Sequence, residues 1–210
     1  MAFFVTLIVL GIKFVKNKTR FILFFIFSTI TILYIGYNTS SVFKVRVDET
    51  INEIPVLFSD SDNIYRGDIG ARIGVWIISE ELIKDDIITG IGAGSIHNKI
   101  ANFIKIQNNP KFNIIKIRST HNIYINFLLM LGIIGFILYL LIWYYLIKLK
   151  FDEEFFYYLN IIFVSTYCIV GLTENLFLNQ FPMNLFALFV GILILKSQKY
   201  KTISNEIKYI

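Results

Sequence analysis

The chain has 210 residues, 56% of them hydrophobic, with 20 Lys and Arg against 15 Asp and Glu for a net charge of +5. The apolar share exceeds the roughly 45–50% of an average soluble protein, and the excess falls in blocks approaching the ~20 residues a bilayer crossing needs. The single cysteine, Cys168, lies inside such a block, which excludes an intrachain disulfide and a cysteine-based metal site; no concentrated basic-aromatic patch marks a nucleic-acid interface.

In chain order, residues 2–15 form a first apolar stretch of marginal length. Its basic residues follow the stretch and no small-residue cleavage site appears, which argues against a signal peptide. A chain opening in mid-span is expected to be the C-terminal part of a longer membrane protein, or to carry a misplaced start. Residues 21–37, 123–147 and 155–172 are clear candidate spans, and 183–195 is a shorter one. The fold class expected is an all-α integral membrane protein of about five transmembrane helices, with a large, mostly helical loop between the second and third.

Charge sets the orientation. Lys13, Lys16, Lys18 and Arg20 separate the first two blocks, Lys148 and Lys150 follow the third, and Lys196, Lys199, Lys201 and Lys208 form the tail. Short connections rich in Lys and Arg stay cytoplasmic, so residues 38–122 are expected outside, with their ten basic and ten acidic residues in balance. The division is therefore 1–37, two spans and a basic hairpin; 38–122, the outer loop domain; 123–195, three spans; and 196–210, a basic cytoplasmic tail.

Within the loop domain, the apolar–charged alternation of residues 42–47 suggests a short strand or extended stretch. Pro55 and the polar run 59–63 suggest a loop. Ile69, Ile73, Trp76, Ile77 and Ile83 then follow helical spacing and predict an amphipathic helix over about 65–84. A turn follows, Gly90-Ile91-Gly92-Ala93-Gly94. Ser95 can cap a second amphipathic helix carrying Ile96, Ile100, Phe103 and Ile104 on one face, ended by Asn108-Asn109-Pro110. The two helices are expected to lie against the membrane interface or to roof the bundle.

Several residues carry potential chemistry. Arg72 and Trp76 share a helix face, and a guanidinium can grip phosphate oxygens through two parallel hydrogen bonds. The plainer reading pairs Arg72 with Asp68 in a surface ion pair of about 0.3–0.5 kcal/mol. Arg66 and Arg118 are further cations on the same segment. The glycine turn lacks the strand and spacing of a dinucleotide fingerprint and reads as a tight helix connection, although backbone amides at the following helix N-terminus could meet an anion. His121 stands where the polar segment meets the apolar block beginning at Ile123, a boundary touching both water and headgroups. Imidazole changes charge between about pH 5 and 8, so it can accept a proton or hold a phosphate; the alternative is a plain interfacial or capping histidine. His97 is a poorer candidate, and two histidines without a carboxylate cluster make a zinc site improbable. Glu174, beside Asn175, ends the fourth block on the same side as His121.

Together these residues resemble the C-terminal half of the O-antigen ligase and O-antigen polymerase superfamily. The matching elements, over about residues 21–195, are Arg72-Ile-Gly-Val-Trp76, Gly90-Ile-Gly92-Ala-Gly94, His121-Asn122-Ile-Tyr124 leading into Gly132-Ile-Ile-Gly135, and Leu172-Thr173-Glu174-Asn175. The resemblance implies a metal- and cofactor-independent glycosyltransferase of the bacterial inner membrane, with its loop in the periplasm and its C-terminus in the cytoplasm. It implies transfer of a glycan from undecaprenyl pyrophosphate to a glycan or lipid A-core acceptor. By resemblance, Arg72 neutralises the pyrophosphate and His121 either deprotonates the acceptor hydroxyl or holds the pyrophosphate. Arg66, Trp76, Arg118, Asn122 and Glu174 are the expected substrate-binding residues. The family carries more spans, so a partial member served by a separate chain that supplies them is expected. The competing readings are a membrane-anchored binding or scaffold protein and an inactive remnant.

Overall fold

The computed structural model describes residue 11 and residues 15–59, 62–113, 115 and 119–208. These residues form helices and turns, with no strand among them. Most of the expected first span, 2–15, and Arg118 lie outside the described residues.

Helix α1 (Lys18–Thr39) starts at Asn17, whose side chain accepts the Arg20 amide at 3.2 Å. Its 22 residues extend about 33 Å at 1.5 Å per residue, enough to cross a hydrocarbon core. It buries no side chain. Ser40 then caps α2 (Ser41–Leu57) by accepting the Phe43 amide. Residues 42–47 are thus helical, against the extended expectation. The cap satisfies a first-turn donor, and the Tyr37 hydroxyl, donating to Asp48 at 2.8 Å, pins the α1–α2 corner. Pro55 sits in the last turn of α2, where its missing N–H lets the helix stop at Leu57.

Helix α3 (Asp68–Asp85) receives its cap from α2. The Glu53 carboxylate accepts the amides of Asp68 at 3.0 Å and Ile69 at 2.9 Å, placing negative charge on the helix N-terminus. The expected helix exists, but its packed face is Gly70, Ala71, Gly74, Val75, Ile78, Ser79 and Leu82, not the one containing Ile73 and Ile77. Small residues decide this, because they let the helix backbone approach its neighbours: a Cβ on Gly70 would lie 2.4 Å from the Ile64 carbonyl oxygen.

Helix α4 (Ile96–Gln107) buries Ile96, Ile100 and Ile104, as expected, and ends at Asn108 in the left-handed region, φ +44°. Ser95 does not cap it; its hydroxyl donates back to Gly92 at 2.9 Å. A short turn of helix, α5 (Pro110–Asn113), follows. Val75, Ile78 and Leu82 of α3 pack with Ile96, Ile100 and Ile104 of α4, Ile115 and Leu129. Each fully buried side chain of this size contributes about 1.5–3 kcal/mol relative to exposure.

Helix α6 (Ile123–Ile147) is broken at Gly132, with φ +64° and ψ −165°. The freed backbone groups pair with the turn after α3. Ile91 N–H donates to Leu129 at 2.7 Å, Gly92 N–H to Met130 at 3.1 Å, and Ile133 N–H to Ile87 at 2.8 Å. Gly90 and Gly132 meet backbone to backbone: a Cβ on Gly132 would sit 2.2 Å from the Ile88 oxygen, and one on Gly90 2.5 Å from the Gly132 nitrogen. The α3–α4 pair therefore flanks the first half of α6 instead of roofing the bundle. The amides of residues 91 and 92 are consumed by this contact.

Helices α7 (Glu154–Val170) and α8 (Gln180–Lys208) complete an antiparallel bundle with α6. Ile123 N–H donates to Gly171 at 2.8 Å at one end, and Lys196 meets Glu153 at 3.3 Å at the other. The core between them is aromatic: Tyr139, Trp143, Phe163 and Tyr167 pack with Ile123 and Leu193. Among the described residues, α1, α6 and the segment Gln180–Gln198 of α8 are long and apolar enough to span a membrane, and the apolar α7 is shorter.

Candidate functional site

Three segments far apart in sequence converge where α6 begins: the second turn of α3, the approach 119–122, and the turn 171–175 after α7. Asn122 fixes the start of α6. Its side-chain oxygen accepts the amides of Tyr124 at 3.0 Å and Ile125 at 3.1 Å, while its amide nitrogen donates to the Leu172 carbonyl at 3.2 Å. Both ends of this side chain thus tie the start of α6 to the fold.

Below it lies a buried polar knot that sequence reasoning did not single out. The Asn175 amide donates to Ser119 Oγ at 2.9 Å and to Thr120 Oγ1 at 3.2 Å; Thr120, fully buried, donates to the Asn122 carbonyl at 3.0 Å. Buried polar groups of this kind cost stability unless paired, and here the two Asn175 hydrogen bonds tie the 119–122 approach to the 171–175 turn. The signal was adjacency alone: Thr120 precedes His121, and Asn175 follows Glu174.

Trp76 ties in the third segment. Its indole Nε1 donates to the Thr120 carbonyl at 2.7 Å, anchoring α3 to the residue before His121. Its ring, with Ile73, Ile77 and Ile83 of α3 and Ile125 and Leu128 of α6, lines an open, mainly apolar groove of about 490 Å³. The Ile73, Trp76, Ile77 and Ile83 stripe of the expected amphipathic helix faces this groove.

Held in this frame, His121 adopts φ +43°. A left-handed conformation is uncommon outside glycine, although histidine is among the residues enriched there, and such positions concentrate at functional sites. The histidine ring and Arg72 meet one carboxylate. His121 Nδ1 lies 3.4 Å from Glu174 Oε2, and Arg72 Nη2 lies 3.6 Å from Glu174 Oε1. Arg72 Nη1 donates to the Thr173 carbonyl at 2.8 Å, a good hydrogen bond, whereas the two carboxylate contacts are longer and looser. The three side chains are 30–46% exposed, open enough to meet a ligand. The Asp68 pairing considered for Arg72 goes instead to Arg46, at 3.5 Å.

Arg72, His121 and Glu174 therefore form one cluster, with Trp76 and Asn122 bracing it. Arg66 does not join them; it lines a separate cleft between α2 and α3. His97 is exposed on α4. Among the described residues, no group of His, Cys, Asp and Glu is arranged to hold a metal ion.

A family model described as O-antigen ligase matches residues 1–140, a stretch containing Arg72, the glycine turn, His121 and Gly132 and ending before Glu174. A search of the curated proteins found no match. With two thirds of its length matched, the chain belongs to the O-antigen ligase family.

Proposed function

We propose that the chain transfers a glycan from a lipid-linked pyrophosphate donor to an acceptor hydroxyl, at an extracytoplasmic site built on Arg72, His121 and Glu174. One observation carries this reading: Arg72 and His121, 49 positions apart, both contact the carboxylate of Glu174. Family membership supports glycan transfer of the O-antigen ligase or polymerase type.

The acceptor oxygen forms a bond to the anomeric carbon as the bond from that carbon to the pyrophosphate oxygen breaks, and the bonding pair leaves with the pyrophosphate. Negative charge develops on that oxygen. Arg72, braced against the Thr173 carbonyl, is a fixed cation suited to stabilise it without reorganising. The acceptor proton passes to Nε2 of neutral His121. Glu174, on the Nδ1 side, orients the ring and stabilises the imidazolium that results, as a carboxylate does behind a general-base histidine. Pyrophosphate entering beside Arg72 competes with Glu174, whose 3.6 Å contact is loose enough to yield. The groove beside Trp76 suits the apolar part of the donor, placing its headgroup level with His121.

A membrane scaffold with no chemistry would not need these two side chains to converge, and their shared carboxylate favours the enzyme. The test is complementation of a ligase- or polymerase-deficient strain with the complete locus, comparing wild type with His121→Ala and Arg72→Ala at matched membrane levels. Loss of glycan transfer in both variants is expected. Wild-type transfer in both would remove the assignment.

A further inference from the structure

Arg66 lines a cleft of about 560 Å³ between α2 and the start of α3, within the roughly 300–1,000 Å³ typical of small-molecule sites. Its polar wall has two sources. Arg46, Glu49, Asn52 and Glu53 come from one face of α2, at helical spacing, and Arg66 and Asp68 from the turn into α3. Val56 and Ile64 add apolar surface. Part of this wall is fixed from within. Glu53 is held by the Asp68 and Ile69 amides, and Arg46 sits between Glu49 at 3.3 Å and Asp68 at 3.5 Å.

We infer that this cleft binds a short segment of uncharged or amino-substituted glycan, as a recognition site separate from the Arg72–His121–Glu174 cluster. Three carboxylates face two guanidinium groups, so the lining disfavours a phosphate or a uronic acid. Its carboxylate, amide and guanidinium planes offer donors and acceptors in adjacent pairs, which matches neighbouring sugar hydroxyls. The position fits as well. Asp68 and Arg72 share a face of α3 and are separated by about 6 Å of helix rise, so a glycan lying in the cleft runs towards the reacting cluster. This assignment rests on the glycan-transfer reading for its purpose, but its binding test does not need the reaction.

The experiment is saturation-transfer NMR on the full chain in nanodiscs, with galactose, N-acetylglucosamine, glucosamine and glucuronic acid as probes. At least one of the first three is expected to receive transfer, and glucuronic acid at least 10-fold less. Asn52→Leu and Arg66→Ala should each cut the signal 10-fold or more, with unchanged helical circular dichroism as the folding control. Arg72→Ala should leave it intact. No transfer to any probe, equal transfer to glucuronic acid, or signal surviving both cleft variants would overturn the inference. Signal lost in Arg72→Ala would place the sugar in the reacting cluster instead and also overturn it. Failure of the transfer reading is seen separately, as wild-type glycan transfer in Arg72→Ala and His121→Ala.

Discussion

Replacing Gly132 by alanine tests whether the broken span and the glycine turn form one unit. The new Cβ would stand 2.2 Å from the Ile88 oxygen and 2.7 Å from the Gly90 nitrogen, both backbone atoms with no side chain to rotate away. The φ of +64° with ψ of −165° is a glycine-only region, where a side chain costs on the order of 1–3 kcal/mol. Relief requires the turn to move off α6, loosening the three backbone hydrogen bonds that join residues 87–92 to 129–133. At about 1 kcal/mol net each, and more where lipid offers no replacement partner, the total is about 4–6 kcal/mol. For a chain of this size, that corresponds to a fall of roughly 8–24 °C in melting temperature. The assay is thermal unfolding in nanodiscs, followed by tryptophan fluorescence. Gly191→Ala in α8 is the control, because nothing lies within 4 Å of its added Cβ; it should melt at or slightly above wild type. A Gly132→Ala protein melting within 2 °C of wild type would refute the reasoning.

Trp76→Phe keeps the ring in its groove but removes the 2.7 Å hydrogen bond to Thr120. The melting temperature should fall by only about 2–4 °C, as for ~1 kcal/mol, while glycan transfer falls about 10-fold because the support behind His121 loosens; an unchanged rate would contradict the positioning role. Asn122→Ala should cost about 1–2 kcal/mol through the lost α6 cap, and Asn122→Asp, retaining the cap oxygen, should melt between Ala and wild type. Glu174→Gln should lower the transfer rate by about 10²–10⁴, the usual range for disabling acid–base assistance, without weakening donor binding. Equal loss of rate and binding would mean that Glu174 contacts the donor instead of orienting the histidine.

The helices were legible in the sequence wherever an apolar block or a clear cap set them. Ile96, Ile100 and Ile104 have uninterrupted helical spacing and are buried together. The span beginning at Ile123 was visible from composition alone. The buried face of α3 was not, because the isoleucine periodicity marks the side that lines the groove beside Trp76. Gly70, Ala71 and Gly74 held the answer, since only a face of small residues permits close backbone approach. Residues 42–47 misled because six alternating residues suit either conformation, and the Ser40 cap decides between them. The break at Gly132 was hidden because glycine is ordinary in membrane helices; only its partner, Gly90, reveals the contact, and that pairing is long-range.

The candidate site was legible in its charged members and not in their supports. Arg72, His121 and Glu174 stand out as titratable or cationic residues in polar segments beside apolar blocks, and charge topology put them on one side. Thr120, Asn175 and the Trp76 indole were opaque as supports, since neutral side chains declare their hydrogen-bond partners only once the chain is folded. The cleft that Arg66 lines was opaque for a related reason. Six residues of separation from Arg72 says nothing about which side of the Gly67 turn a side chain occupies.

The most direct measurement is the affinity of the purified full chain in nanodiscs for a fluorescent undecaprenyl-pyrophosphate glycan, in wild type, Arg72→Ala and His121→Ala. A guanidinium gripping the pyrophosphate is worth about 1.5–3 kcal/mol, so Arg72→Ala should bind roughly 10- to 100-fold more weakly. His121→Ala, whose task is the acceptor proton, should bind within about 3-fold of wild type (~0.7 kcal/mol). Wild-type affinity in Arg72→Ala would contradict the account.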